Sequence, residues 1–191
     1  MENLKTPIGR VMLKNVRLAF PVLFEPKAFG TDANSAPRYS AAFVLPADHP
    51  QVEELKAKIE KVAADKWGKD VAGVMKGIRA KDRVCLHDGD TKSQYDGFAG
   101  NLYISAASAG DKAPPTVVNT DRSPLTARSP VPYAGCYVNA SIDIYAQDNN
   151  FGKGINASLR GVQFLRDGDA FGGSAPAKAD EFEEVEASEW A

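Results

Sequence analysis

Apolar positions in this chain recur mainly with a period of two, most clearly between Cys136 and Ala146. There Cys136, Val138, Ala140, Ile142, Ile144 and Ala146 alternate with Tyr137, Asn139, Ser141, Asp143 and Tyr145. Successive side chains of an extended backbone point to opposite sides, so this is a strand with one buried and one polar face. The turn-forming run DNNFGKG follows, and then Ile155, Ala157 and Leu159 alternate against Asn156, Ser158 and Arg160, which predicts a hairpin. After Gly161 the apolar phase moves to Val162 and Phe164. A phase change at a glycine reads as a bulge, the device that bends a strand where a sheet curves.

The same period marks the start of the chain. RVMLKNVRLAFPVLF places Val16, Leu18 and Phe20 against Asn15, Arg17 and Ala19, with a slip near Lys14, and RYSAAFVLP is a second strand ended by Pro46. One segment has helical spacing instead. Val52, Leu55, Ile59 and Val62 predict a helix over about 48–67, with Asp48 as N-cap, Pro50 in the first turn and Gly68 closing the end. A shorter helical piece is expected in KDVAGVMKGI, and strands return in RVCLH, GNLYISAAS and PTVVN. Seven short strands and one or two helices predict a mainly β domain over 1–170, closed into a small barrel. A Gly/Ala-rich linker and an acidic tail are expected over 171–191.

Composition changes the picture at one point. The chain has 191 residues, with 23 basic and 25 acidic, but 174–191 holds one Lys and six acids, which leaves 22 basic against 19 acidic in the body. A mildly basic body is therefore tethered to a segment carrying Asp180, Glu181, Glu183, Glu184, Glu186 and Glu189, with Phe182 and Trp190 as its aromatic groups. So charged a segment buries too little apolar surface to offset the entropy of ordering, and it is expected to stay solvated. No apolar run is long enough for a secretion signal or a membrane span, so a cytoplasmic protein without membrane association is expected.

The chemistry is that of binding. Cys85 and Cys136 sit in strand-like stretches and read as small buried hydrophobes. With His49 and His87 they lack the paired spacing of a zinc site, and HDGD and RDGD read as turns, so no metal or cofactor is expected. There is no phosphate-binding loop and no nucleophile elbow, which points away from an enzyme. What the chain does offer is aromatic planes beside cations on polar faces and in loops. Arg17, Tyr103, Tyr137 and Arg160 stand on strand faces, Lys92, Tyr95 and Phe98 in TKSQYDGFAG, and Arg122, Arg128 and Tyr133 in DRSPLTARSPVPY. Rings that stack bases and cations that track phosphates are the two ingredients of sequence-tolerant binding to single-stranded nucleic acid.

RLAFPVLFEPKAF and SPVPYAGCYVNASIDIYAQDNNFGKGINASLRGVQFLRDGD, with the Gly-rich linker and acidic tail, resemble bacteriophage single-stranded DNA-binding proteins, specifically a family formerly classed as a domain of unknown function. The resemblance covers nearly the whole chain. It implies an OB barrel that coats single-stranded DNA in phage replication, recombination or repair, and that recruits replication or recombination proteins through its tail. It supplies no binding residues. Ala191 follows Trp190, so the ring is not itself terminal. A recombination annealing protein and a structural or interaction protein of the virion are the alternative readings, and self-association into a homo-oligomer is left open.

Overall fold

In the computed structural model, which describes residues 6–30, 34–172 and 182, seven strands form one sheet. They are β1 (Arg10–Lys27), β2 (Arg38–Pro46), β3 (Leu86–Asp88), β4 (Asn101–Ala109), β5 (Thr116–Val118), β6 (Tyr137–Asn149) and β7 (Gly152–Arg166). Their order is β3-β4-β2-β1-β6-β7-β5, antiparallel throughout except for β5 beside β7. Helices α1 (Val52–Trp67) and α2 (Val71–Ala80) connect β2 to β3. The expected barrel does not close through its edges, since β3 and β5 do not pair with each other. One parallel bridge, Val84 to Ile155, ties the approach to β3 onto β7, where the Ile155 N–H donates to the Arg83 carbonyl at 2.9 Å. Three strands are long, with 18 residues in β1, 13 in β6 and 15 in β7, each close to the stretch that the alternation marks out.

The inner face of the sheet, with Leu13, Leu18, Phe43, Leu45, Ile104, Val138, Ile142 and Ile155, is buried against the apolar stripe Val52, Leu55, Ile59 and Val62 of α1. Cys85 and Cys136 are buried here as free thiols, and burial pushes them up to about 12 and about 11 respectively. A thiol so far from ionising packs like any small hydrophobe.

Two irregularities read from the sequence are present. Pairing of β1 with β6 slips between Leu13 and Val16, with Asn15 at φ 56°. The slip leaves backbone groups without ladder partners, and the segment before α1 supplies them. The Gln51 side chain accepts from the Lys14 N–H at 2.7 Å and donates to the Met12 carbonyl at 2.9 Å, and a His49 ring nitrogen lies 3.0 Å from the Lys14 carbonyl. Because residues 47–51 are held in this turn, α1 begins at Val52 with Gln51 as N-cap, and Asp48 caps nothing. In the hairpin, Ser141 pairs with Gly161 and Ile142 with Leu159, so Arg160 is the extra residue of the expected bulge.

Candidate nucleic-acid interface

The outer face of the sheet carries a continuous row of cross-strand partners. His87 pairs with Tyr103, Tyr103 with Val44, Val44 with Arg17, Arg17 with Tyr137, and Tyr137 with Arg166. Cross-strand partners share a face, so one line of side chains crosses six strands, about 24 Å at the usual strand spacing. On its β1-β6-β7 half, Tyr137 lies between two guanidinium groups, Arg166 at 3.7 Å and Arg17 at 5.5 Å from the ring centroid. Arg17 donates to the carbonyls of Gly135 at 3.1 Å and Asp169 at 2.7 Å, and Arg166 donates to the Asn15 side chain at 2.9 Å. Among the described residues neither cation is ion-paired. Their charge is therefore free to attract an anion.

The other half of the row is roofed, which corrects two expectations. Tyr103 does lie on the face away from the main core, but it is 3% exposed, and Phe98 is 1% exposed. Residues 89–100 fold across β2 and β4 and bury them with Ala19, Ala42 and Val44 in a second apolar cluster. Lys92 sits 5.1 Å from the Tyr103 ring, His87 stacks on it at 4.8 Å, and Tyr95 meets Phe20 edge-on at 5.0 Å. Phe20 was expected on the core side. A second slip in β1 holds it at φ 48° and turns it outward, 48% exposed, against this roof.

Beyond Tyr137 the face deepens into a cavity of about 350 Å³ lined by Met12, Asn139, Ser141, Gln163, Arg122 and Arg160, among others. The β6–β7 bulge aims Arg160 there, and the turn after β5 places Arg122 opposite, at φ 68°. Arg122 has no ion-pair partner among the described residues, whereas Arg160 and Arg10 both donate to Asp143. Burial pushes the Asp143 carboxyl up, but the Arg10 hydrogen bond and the attraction of Arg10 and Arg160 outweigh it and hold it below its ordinary value. A carboxylate lowered in the folded state stabilises the fold above its unfolded pKa, and that stabilisation is lost as pH falls through the folded value. Acid unfolding below about pH 4 is therefore expected to be less steep in Asp143→Asn than in the unaltered chain, checked by thermal melts across pH 2–6.

The row and the cavity bring together Arg17, Tyr137, Arg122 and Arg160. Lys92 and Tyr95 lie on the roof, and Tyr145, 43% exposed, stands further along β6. Tyr133 is occupied structurally, its hydroxyl donating to Asp167 at 2.8 Å and accepting from the Gly168 N–H at 3.2 Å. Arg128 is exposed in a turn outside both the row and the cavity. Arg166, His87 and Phe171 belong to this face and were not legible as such. Arg166 needed the register beyond the Gly161 bulge. Phe171 reaches the face from what looked like linker, its ring 4.3 Å from the Arg17 guanidinium carbon. Of the tail residues only Phe182 is described, and it is exposed, while Asp180, Glu181, Glu183, Glu184, Glu186, Glu189 and Trp190 lie outside the described residues.

Comparison with known proteins decides the family. The family model of the Enterobacter phage Enc34 ssDNA-binding protein matches residues 9–190. The chain belongs to the Enc34 ssDNA-binding protein family. Putative protein p50 of Acyrthosiphon pisum secondary endosymbiont phage 1 is 48% identical over 183 residues, covering 94% of this chain and 96% of that protein. The Enc34 protein solved in complex with ssDNA superposes with a TM-score of 0.69 at 26% identity, over 86% of this chain and 90% of its own. Gp2.5, a single-stranded DNA binding protein of bacteriophage T7, matches with a TM-score of 0.57 at 14% identity, over 92% of this chain and 98% of its own, which is a likeness of fold alone. On the outer face, rings meet cations that have no ion pair among the described residues.

Proposed function

We propose that this chain binds single-stranded DNA without regard to base sequence, along the outer face from Arg17, Tyr137 and Arg166 to Arg122 and Arg160, and that it coats strands exposed during phage DNA replication, recombination and repair in the host cytoplasm. The observation that carries this reading is the Arg17–Tyr137–Arg166 stack, in which two cations without an ion pair among the described residues flank an aromatic ring on an accessible face. Its neighbour solved with ssDNA adds support from outside the chain. Stacking planes suit any base, and scattered cations track phosphates without reading sequence. The amides nearby are partly engaged within the sheet, Asn139 donating to Gln163 at 3.1 Å and accepting from the Asn15 N–H at 3.1 Å, which leaves them less capacity for reading a base. In this reading the protein is not an enzyme, and the fold is an OB barrel whose seam is the Val84–Ile155 bridge.

The acidic tail is a tethered polyanion. With a reach of roughly 20–25 Å for about 18 residues, it competes for the basic face and is released to a replication or recombination partner when DNA arrives. Titration with oligo(dT) tests both parts. With about three to five phosphates neutralised, log K against log salt is expected to slope at about −2 to −3.5. Deleting 174–191 is expected to raise affinity at low salt, with the gain fading at high salt, and to abolish partner binding, whereas Trp190→Ala impairs only the partner. A flat salt response would refute the binding mode, and an unchanged low-salt affinity would leave the tail merely solubilising.

A further inference from the structure

Phe171 lies over the Arg17 guanidinium on the outer face. Its ring centroid is 4.3 Å from the Arg17 guanidinium carbon, on a cation whose other near aromatic is Tyr137. Donation to the Gly135 and Asp169 carbonyls fixes the guanidinium plane, so Arg17 is a preorganised stacking platform. The phenylalanine itself packs against the second apolar cluster. Its N–H donates to the Ala134 carbonyl at 2.9 Å, the Gly172 N–H donates to the Asp96 carboxylate at 2.9 Å, and its ring lies against Gly97 in the roof. Gly97 has φ 81°, and a Cβ built there would stand 2.4 Å from the Phe171 ring, so only a glycine lets the ring settle so closely.

We propose that Arg17 is a nucleobase subsite which Phe171 occupies in the free protein, and that a base of the bound strand replaces the ring. This rests on the reading of the outer face as a single-stranded DNA surface. A planar base offers the guanidinium the same stacking contact as the phenyl ring, and the strand adds a phosphate that phenylalanine lacks. The ring is thus a resident competitor of a different kind from the acidic tail. It is uncharged, so its competition does not fade with salt. If the backbone of 171–172 moves with the ring, the bonds to Ala134 and Asp96 break, which frees the chain immediately before the tail from the turn that precedes β6 and from the roof.

The test is titration of full-length protein and Phe171→Ala with oligo(dT) and with an abasic strand of equal length, at low and high salt. A site blocked most of the time binds more weakly by the fraction open, so the variant is expected to gain about three- to tenfold for oligo(dT) at both salts and nothing for the abasic strand. Phe171→Leu, which keeps apolar bulk and loses the plane, serves if the alanine variant is unstable, and is expected to gain likewise. Hydrogen exchange on the unaltered protein is an independent arm. The Phe171 and Gly172 amides are expected to lose protection on saturation with oligo(dT). An unchanged or weakened oligo(dT) affinity, an equal gain for the abasic strand, or greater protection of those amides would overturn the proposal. Absence of oligo(dT) binding by the unaltered protein would instead overturn the parent reading.

Discussion

Replacing Arg17 by Ala is expected to weaken oligo(dT) binding by about 30- to 150-fold, corresponding to about 2–3 kcal/mol. The substitution removes a stacking plane, worth roughly 1–3 kcal/mol per base, together with one phosphate partner. It acts at the centre of the row, where the cation also flanks Tyr137. Arg17→Lys separates the two contributions. The ammonium keeps the charge and the salt slope but loses the plane, so an intermediate affinity is expected with the slope unchanged. Arg128→Ala, in an exposed turn outside the row, is the control and should bind nearly as the parent does. Arg17→Ala binding oligo(dT) as tightly as the parent would remove the row from the interface.

The second large effect falls on stability. Tyr103→Ala empties a site 3% exposed, where the ring meets His87 at 4.8 Å and Phe98 at 5.0 Å. Truncating a buried aromatic to alanine costs about 3–5 kcal/mol, since the transfer term and the cavity add. For a domain of this size that lowers the melting temperature by roughly 6–20 °C. Tyr103→Phe keeps the ring and is expected to stay within about 0.5 kcal/mol of the parent. Tyr137→Ala, whose ring is only partly buried between two cations, is expected to melt close to the parent and to lose DNA affinity instead. Should Tyr103→Ala melt normally while binding weakly, the 89–100 roof stands open in solution and Tyr103 contacts the strand itself.

The contrast between these two tyrosines shows what the sequence could and could not convey. Alternation placed both on the polar side of their strands, and both are there. Alternation says which face a residue occupies, not what another part of the chain lays over that face. The roof over Tyr103 comes from residues 89–100, and its companion Phe171 from beyond β7, so both are tertiary facts with no local signature. The slips near Lys14 and at Gly161 were legible because a bulge shifts the apolar phase. Their consequences were less so. The first slip recruits Gln51 and delays the helix to Val52, and the second sets the register that brings Arg166 beside Tyr137. Phe20 misled for the same reason, since a further slip reversed its side.

The central position of β1 bears on how the chain is made. Its two neighbours are β2, which follows within the same hairpin, and β6, whose Val138 pairs with Val16 from about 120 residues further along the chain. At a synthesis rate of about 5–20 residues per second, one edge of β1 waits some 6–24 s for that neighbour. During the interval the early hairpin and α1 can form local contacts, but Val11, Leu13, Val16 and Leu18 have only part of their final cover. The order of emergence from the ribosome thus makes the β6–β7 hairpin the closing piece, a ready-made unit that docks onto a partly assembled sheet.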